Sequence, residues 1–488
     1  MFELFKLRFF LRRRIGFALL CALSLSANVP AGDVFPPSPA KPWSPPQLGD
    51  YQKQLALGTV QYESNSVPIE TNNVYDLPAL IDLAERSHPQ TRVAWEHASQ
   101  AAKGVGLSEA AYYPYLAAEA SAGFEHELGE LTTVFPANGA QEEAVLDLKW
   151  LLFDFGGRKA SVAAAKEQLM AANVAFNATH QQIVFTVTKN FYAFNTARQK
   201  VGVAESSLQA AKTVNDAAQA RFDHGLATKP DVLQAEQQTA EATFELEAAR
   251  GDLSDAQVAL MQSLGVVPTT QLQIAEVEEK QFEENPEESL EALIDRALSQ
   301  RPDLVAQLAN LRASQDKVRL ARAAYYPKIS LEGTAGEEKL DVNAYSSPYV
   351  GNSKPTYGIG VAIDLPIFDG YIRANNLKLA QSQLREAEAA LADSRNAAVA
   401  QVWQAYTDLK TALRKQESAD KLLTAAQSAF DASLEAYQHG LGTYVDTQNA
   451  QQNVTAARST VVDTRAAILT GTAALALSVG DLDKPSSR

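Results

Sequence analysis

Hydrophobic residues recur every seven positions over two long proline-free stretches of the chain. In the first stretch, the apolar residues seven positions apart are Val162, Leu169, Phe176 and Ile183. A four-residue step then leads to a second series, and the stretch after Arg373 follows the same scheme. Heptad spacing is typical of helices packed side by side, and at about 1.5 Å per residue each helix is about 100 Å long. The pattern predicts long helices over residues 157–224 and 372–439.

Each long helix is expected to end in a sharp turn. Gly225 and Gly440 follow the last apolar positions, and glycine is common where a helix ends in the left-handed conformation. Further helical stretches follow over residues 229–265 and 444–480. The sequence therefore predicts two helical hairpins, each with a tip at its glycine.

Between the helical stretches the hydrophobic period falls to two. Alternation covers residues 115–127 and 144–154, and again 328–339 and 356–368. Each stretch is about 10 residues long, the length of a tilted membrane strand, and aromatic residues cluster near one end. The pattern predicts membrane β-strands, with a soluble antiparallel sheet as the alternative because that sheet alternates as well.

Four strands cannot close a barrel around water, and an open strand edge is not tolerated in lipid. Several copies of the chain must therefore pool their strands. Two copies would supply eight strands, about enough for a filled barrel, whereas three would supply twelve and an open lumen. A water-filled interior is favoured by polar residues on the inward face, namely Glu119, Asp147, Lys149, Glu332 and Asp364.

The chain repeats itself once. Leu80-Ile81-Asp82 reappears as Leu293-Ile294-Asp295 at an offset of 213 residues, and later matches such as Phe153 with Phe368 have an offset of 215. The first copy is predicted at 76–265 and the second at 291–480, and each opens with a helix, at 76–113 and 291–326. An acidic connector, 266–290, joins the copies, and 481–488 is a short polar tail. The fold class is mainly α with a membrane β-barrel.

The N-terminal residues are typical of an export signal. Several lysines and arginines precede an apolar stretch from Ile15 to Leu25, and small residues follow. Residues 1–31 are therefore expected to be a signal peptide cleaved near Ala31. A lipid anchor on Cys21 is the alternative, although no small residue stands just before it. The proline-rich residues 32–75 predict an extended arm. Outside the signal peptide, no stretch of about 18 uninterrupted apolar residues is present, so the sequence predicts no transmembrane helix.

Charge and composition exclude several functions. The 43 Lys and Arg residues against 58 Asp and Glu give a net charge of −15, the wrong sign for a nucleic-acid binder. The single cysteine excludes disulfides and thiolate metal sites. No nucleophile–base pair stands out, so an enzyme is not expected, nor is a cofactor or metal. The repeat-equivalent His224 and His439 are interpreted as solvated tip residues rather than metal ligands.

The doubled order of these motifs resembles the TolC-like outer membrane efflux proteins of Gram-negative bacteria, over about residues 76–480. Each copy has a proline-ended helix, a strand pair closed by Phe-Asp, a long helix and a Gly-Leu-x-Thr tip. The resemblance implies a homotrimer with a twelve-strand outer-membrane barrel continuing into a twelve-helix periplasmic barrel. It also implies a periplasmic adaptor and an inner-membrane pump as partners. The residues at the barrel-to-helix transition would be Pro114, Pro327, Phe153 and Phe368.

The tips carry the sharper expectations. The resemblance implies adaptor contact at Gly225, Leu226, Thr228, Gly440, Leu441 and Thr443, with simple helix capping as the alternative. It implies a mouth narrowed by a tyrosine–aspartate link, an arginine–threonine link and acidic rings. Tyr437 and Asp231 match the first link, but Gly442 and Pro230 replace the arginine and threonine of the second. Asp446 matches the first ring and Asn449 stands at the second, although an Asp there also stabilises a helix N-terminus.

Three functions follow as hypotheses. The first is a passive outer-membrane exit duct for small molecules such as drugs or other toxic solutes, energised by a pump. The second is the exit duct of a type I protein secretion system, which would use the same architecture. The third is a structural or adhesive trimeric coiled coil anchored by a barrel, which predicts no conductance and no partner at the tips.

Overall fold

The computed structural model describes residues 48, 50–55, 73–127, 137–268, 272–277, 288–344 and 347–482. The predicted signal peptide with Cys21, most of the proline-rich arm, the middle of the acidic connector and residues 483–488 lie outside this part. The chain divides into two units, Met1–Pro68 and Ile69–Arg488. In the first unit residues 50–55 are helical. Every element below belongs to the second unit.

The described residues in and just before the first copy form three strands and four α-helices. In chain order they are β1 (Val74–Tyr75), α1 (Leu77–Ser87), α2 (Pro89–Glu109), β2 (Tyr115–Glu127), β3 (Ala137–Phe153), α3 (Gly157–Asp223) and α4 (Lys229–Ser263). A single 3-10 turn, Ala110–Tyr112, separates α2 from β2. The long helix α3 ends one residue before the predicted bound of 224, whereas β3 begins seven residues before the predicted 144.

The connector and the second copy repeat this order. Their elements are β4 (Gln273–Ile274), α5 (Leu290–Gln300), α6 (Pro302–Ala323), β5 (Lys328–Ala344), β6 (Ser347–Asp364), α7 (Ile372–Gln438) and α8 (Tyr444–Val479). The strands β5 and β6 are longer toward their shared turn than the predicted 328–339 and 356–368, because backbone pairing continues through polar residues. β6 also ends before the predicted 368, since Pro366 lacks the N–H that a strand ladder needs.

The predicted single opening helix of each copy, 76–113 and 291–326, is wrong: the structure has two helices in each. The break falls at His88 and at Arg301, both in extended backbone. Each precedes a proline, whose ring disfavours helical backbone at the preceding residue. His88 Nδ1 then accepts a hydrogen bond from the Gln90 backbone N at 3.1 Å and caps α2. The apolar periodicity runs through this break, which is why the pattern alone hides it.

The four long strands form one antiparallel sheet in the order β2-β3-β5-β6. The register places Ile359 opposite Gly333, and Gly333 opposite Leu148. One residue along, Gly360 lies opposite Glu332 and Glu332 opposite Lys149, with an ion pair of 3.7 Å between the last two. The sheet therefore has one apolar face and one polar face.

The long helices pack lengthwise against one another. α3 lies along its return helix α4 and along α8, while α7 packs along α8 and α6. Many buried positions are alanines, which allow close helix axes. By length and composition α8 is long and apolar enough to cross a membrane, with a mean hydropathy of 1.2, but here it packs against α3, α5 and α7.

Candidate functional site

The corner between β3 and α3 is a left-handed turn held by one arginine. Phe155 and Gly156 have φ of 53° and 92°. The buried Asp154 carboxylate accepts a hydrogen bond from the Arg158 backbone N at 2.5 Å, at the positive N-terminus of the helix. The Arg158 guanidinium reaches back to the carbonyls of Leu151 (2.6 Å) and Leu152 (2.8 Å). It also lies 4.8 Å from the Tyr112 ring centroid. One side chain thus joins the strand end, the helix start and the turn before β2.

The corner between β6 and α7 repeats this arrangement. Gly370 and Tyr371 have φ of 64° and 68°. Asp369 accepts hydrogen bonds from the Arg373 backbone N at 3.0 Å and from its Nε at 2.8 Å. The Arg373 guanidinium lies 5.4 Å from the Tyr325 ring centroid. Both copies therefore set their long helix on the sheet with the same Asp and Arg pair.

The four predicted transition residues lie at these corners. Pro114 and Pro327 stand immediately before β2 and β5. The Phe153 ring meets Phe155 edge to face at 4.7 Å, and Phe368 meets Tyr371 at 5.6 Å. All four lie where the sheet gives way to helices, as the sequence pattern predicts, and their role there remains a prediction.

At the tips both copies adopt the same turn. Gly225 and Gly440 have φ of 74° and 79°, a region that glycine enters without strain. The Leu226 N–H donates to the Arg221 carbonyl and the Leu441 N–H to the Ala436 carbonyl, each at 2.8 Å. These hydrogen bonds satisfy carbonyls at the helix end. The two leucine side chains are 68% and 87% exposed, so each tip presents an apolar group to solvent.

A threonine and an aspartate three residues later cap each return helix. The Asp231 carboxylate accepts from the Thr228 backbone N at 2.9 Å and from its hydroxyl at 2.8 Å. The Thr443 hydroxyl donates to Asp446 at 2.6 Å, and the Asp446 backbone N donates to that hydroxyl at 3.2 Å. Asp446 therefore stabilises a helix N-terminus. Asp446 and Asn449 are exposed and three residues apart, so they share a face of α8.

Two buried tyrosines lie between the hairpins. Tyr437 and Tyr444 are each 3% exposed, with ring centroids 6.2 Å apart, and among the described residues neither hydroxyl has a hydrogen-bond partner. Burial, with the nearby Tyr437 and Asp231, raises the pKa of Tyr444 to about 12. Burial also raises the pKa of Tyr437, although the Arg221 charge opposes this shift. Both shifts favour the neutral hydroxyl.

The hydrogen bond that the resemblance implies between Tyr437 and Asp231 is not formed among the described residues, because the Asp231 carboxylate is engaged by Thr228. Instead, Arg221 contacts Tyr437. Its guanidinium lies 4.7 Å from the Tyr437 ring centroid, and its Nη1 donates to the Tyr437 carbonyl. Sequence reasoning missed Arg221. The available signal was the comparison of the copies, since Ala436 stands at the equivalent position.

A polar seam joins the hairpins above the tips. Gln448 donates to Gln238 at 2.9 Å, which connects α8 to α4. Further along, Gln451 donates to the Ser207 carbonyl at 3.3 Å and Thr455 to the Ser207 hydroxyl at 3.1 Å, connecting α8 to α3. These contacts hold the first hairpin to the return helix of the second.

Other candidate chemistry is sparse in the described ranges. His439 Nδ1 lies 2.9 Å from the Glu435 carbonyl of its own helix, and no group of three metal-ligating residues converges in this part of the chain. A cavity of about 540 Å³ near Gln404 includes Arg301, but that guanidinium is held by both Asp303 oxygens at 3.0 and 2.7 Å. The arginine in this cavity is therefore already paired with a carboxylate.

The fold is typical of a class of membrane protein in which a sheet with one apolar face contacts lipid. Long helical hairpins then extend from the sheet into the aqueous compartment beside the membrane. The outer membrane efflux protein family matches residues 80–266 and 293–481. The chain belongs to this family. It is an outer-membrane exit duct of the tripartite type, with a large periplasmic helical part, so the resemblance read from the sequence is confirmed.

Individual relatives share most of the chain. Protein CyaE of Bordetella pertussis is 29% identical over 423 residues, covering 86% of this chain and 87% of its own length. The cation efflux system protein CusC of Escherichia coli K12 is 24% identical over 389 residues, covering 79% and 82%. The solved outer membrane protein VceC of Vibrio cholerae has a TM-score of 0.71 at 21% identity, covering 83% of this chain and 96% of its own.

Proposed function

We propose that three copies of the chain close into one water-filled duct that conducts small molecules passively across the outer membrane. The open sheet carries the proposal. β2 and β6 have no second neighbour among the described strands, so one edge of each is exposed. An unsatisfied strand edge costs several kcal/mol per polar group in lipid. Joining β6 of one copy to β2 of the next removes every edge.

The outward face of β6 fits lipid. Its exposed side chains are Tyr357 (83%), Ile359 (75%), Val361 (63%) and Ile363 (69%). So large an apolar patch is unusual on a soluble surface. Three four-stranded sheets make twelve strands, enough for a lumen that holds water, and the polar face with Lys149 and Glu332 would line it.

The helical hairpins support the same closure. In the half of the hairpins nearer the tips, α4 and α7 are the outermost helices. Each carries a large exposed apolar side chain, with exposed fractions of 74% for Phe244 on α4 and 51% for Leu422 on α7. Phe244 lies 15 residues from the tip end of α4 and Leu422 lies 16 from the tip end of α7. At 1.5 Å per residue both lie about 23 Å above the tips. A cyclic trimer would bring these residues together at one height.

The tips are the proposed docking surface for a periplasmic adaptor. Leu226 and Leu441 are exposed on turns whose glycines allow close approach of a partner backbone. Through the adaptor, a pump in the inner membrane would supply the energy. Asp446 and Asn449, exposed on one face of α8, would narrow the mouth, and three carboxylates around the axis would favour cations.

Small solutes are the proposed cargo, and the cation efflux system protein CusC among the relatives supports this choice. Type I protein secretion is the second candidate. The test is a crosslinked pull-down of the tagged full chain from intact cells, with native mass spectrometry of the purified protein. A proton-driven pump recovered with a trimer would support small-molecule efflux. An ABC exporter would move the assignment to protein secretion.

A matched pair of variants tests the docking surface. Gly440→Trp places a bulky group on the second tip at φ of 79°, whereas Gly370→Trp places it on an exposed glycine with φ of 64° before α7, where nothing lies within 4 Å of the new Cβ. Loss of adaptor and pump from the Gly440 variant alone would support docking at the tips. Recovery of no pump with any form would favour the structural coiled coil.

A further inference from the structure

The cavity of about 540 Å³ lies where α8 ends beside the start of α6. The two long helices flank it, α3 with residues 178–182 and α7 with residues 401–408. Residues 474–478 of α8 and residues 301–303 at the start of α6 complete its wall. Pockets of this volume take drug-sized molecules, so the cavity is large enough to bind a small solute.

The cavity lies on the side of α7 that faces away from α5. Val402 and Tyr406 of α7 pack against α5 in one apolar cluster. Gln404 stands two residues from each of them, and at 3.6 residues per turn it lies about 160° around the helix from both. The proposed duct stays open only if α5 lies outside it. The side that carries Gln404 and the cavity then faces the interior of the duct.

The helix ends at this cavity are balanced by an ion pair. The Arg301 guanidinium donates to the Ser478 carbonyl at 3.1 Å, at the negative C-terminus of α8, and to both Asp303 oxygens. Asp303 stands in the first turn of α6, where a carboxylate offsets the positive helix N-terminus. Arg301 is the only cation among the described residues that line the cavity. Within that lining, the Asp408 carboxylate is therefore left without a counter-ion.

The polar groups around Asp408 are hydrogen-bond acceptors. The Gln404 Nε2 donates to the two Asp408 oxygens at 2.8 and 2.9 Å. This leaves the Gln404 carbonyl oxygen and the other lone pairs of the carboxylate to accept. Ala178 and Leu477 add apolar surface to the same wall. The cavity therefore suits a molecule with a positive charge, N–H donors and an apolar body.

We propose that this cavity is a cargo subsite in the duct wall, and that it takes organic cations whose N–H groups donate to the Asp408 carboxylate and the Gln404 carbonyl. The inference rests on the proposed duct function. Asp408 lies 30 residues before the tip end of α7, about 45 Å along the helix. The subsite is thus separate from the proposed ring of Asp446, and a cyclic trimer would carry three such subsites at one height.

Binding of ethidium, a planar organic cation with two aromatic amino groups, tests the subsite. Its fluorescence anisotropy is titrated with the purified full chain in detergent. Asp408→Asn keeps the shape of the side chain and removes its charge, so it is expected to weaken binding about tenfold, the effect of losing one charged hydrogen bond. Ala178→Phe should weaken binding by filling the cavity without a change of charge.

Asp420→Asn is the matched control. Asp420 is exposed on α7 and accepts from the Gln416 Nε2 at 2.9 Å, as Asp408 does from Gln404, but it does not line the cavity. Equal affinity of the wild type and Asp408→Asn for ethidium, or an equal loss in Asp420→Asn, would overturn the subsite. A loss confined to Asp446→Asn would overturn it as well, because the probe would then bind at the mouth.

Planar-bilayer recordings separate a failure of the subsite from a failure of the duct. Ethidium is expected to block the wild-type current at a concentration about tenfold lower than it needs for Asp408→Asn. Binding at Asp408 with no conductance in any protein would keep the cation site and reject the duct. Conductance without ethidium binding would reject the subsite alone. Conductance that bound ethidium does not block would place the cavity outside the duct and overturn the proposal.

Discussion

The two tips share one backbone and differ in their side chains. Both have a left-handed glycine, an exposed leucine and a threonine that meets an aspartate three residues on. The first tip places Arg221 and a partly exposed Phe222 where the second has Ala436 and the buried Tyr437. The two copies thus have the same turn, but only the first tip has a side chain, that of Arg221, that donates a hydrogen bond to the other tip.

The corners and the helix breaks at His88 and Arg301 show two other results of duplication. At the corners both copies keep an Asp and an Arg in the same positions. At the breaks before the prolines the copies differ: burial lowers the pKa of His88, while Arg301 is paired with Asp303 and donates to the Ser478 carbonyl at 3.1 Å. Equivalent positions thus stay alike at the corners and diverge at the breaks, where the neighbouring residues differ.

The largest difference between the copies is expected at Gly265 and Gly480, which have φ of 71° and 87°. A Cβ at Gly265 would lie 2.8 Å from the His88 Cα, against 3.3 Å from the Arg301 Cα at Gly480. Gly265→Ala should therefore lower the free energy of unfolding by about 3 kcal/mol, and Gly480→Ala by about 1.5 kcal/mol. Denaturant unfolding in detergent measures both, and equal losses would show that the first copy relaxes around the new methyl.

A smaller difference in unfolding free energy is expected between the two strand-to-helix corners. Arg158 donates to two strand-end carbonyls at 2.6 and 2.8 Å, whereas the short side-chain bond of Arg373 goes to Asp369. Arg158→Ala is expected to cost about 2 kcal/mol and Arg373→Ala about 1 kcal/mol, because only the former leaves two strand carbonyls without a donor. Thermal unfolding of the two variants checks the order, and a larger loss for Arg373→Ala would contradict it.

A smaller contrast is expected at the caps. In the second tip the Asp446 backbone N depends on the Thr443 hydroxyl, so Thr443→Ala should cost about 1 kcal/mol. In the first tip the Thr228 backbone N still donates to Asp231 after the hydroxyl is removed, so Thr228→Ala should cost about 0.5 kcal/mol. Exchange rates at the first turns of α4 and α8 report the two losses separately, and matching rates would refute the contrast.

At neutral pH the last contrast has no effect, because it appears only in alkali. The second tip buries Tyr444 where the first has Lys229, and the pKa of Tyr444 is raised to about 12. Because the folded pKa lies above the unfolded value of about 10, this hydroxyl favours the folded state below pH 10 and loses that effect as the pH rises toward 12. Stability of the wild type should therefore fall more steeply there than that of Tyr444→Phe. Parallel pH curves would contradict this.

Local pattern predicts the long elements well. The predicted helices 157–224 and 372–439 compare with Gly157–Asp223 and Ile372–Gln438, since heptads and a terminal glycine are local signals. The breaks at His88 and Arg301 escape the periodicity, although the following prolines mark them. Strand ends were misplaced because pairing, rather than alternation, decides where a strand stops.

The candidate site was only partly predictable. The tip glycines and their caps follow from short motifs, because a turn and its cap involve residues close in sequence. The contact of Arg221 with Tyr437 joins residues 216 apart, on helices that barely meet, and no local pattern encodes it. Asp231 stands where the family has an aspartate linked to a tyrosine, but its carboxylate accepts a hydrogen bond from Thr228, three residues away. The motif alone does not show which of these two partners the carboxylate takes.

The central claim is that three copies enclose one water-filled duct narrowed at the second tips. Its most direct test is the single-channel conductance of the purified full chain in a planar bilayer, recorded for the wild type and for Asp446→Asn. We expect discrete steps from both, with a cation preference that falls in the variant because the ring loses its charge. Protein that is shown to be inserted as trimers and yet gives no steps would contradict the account.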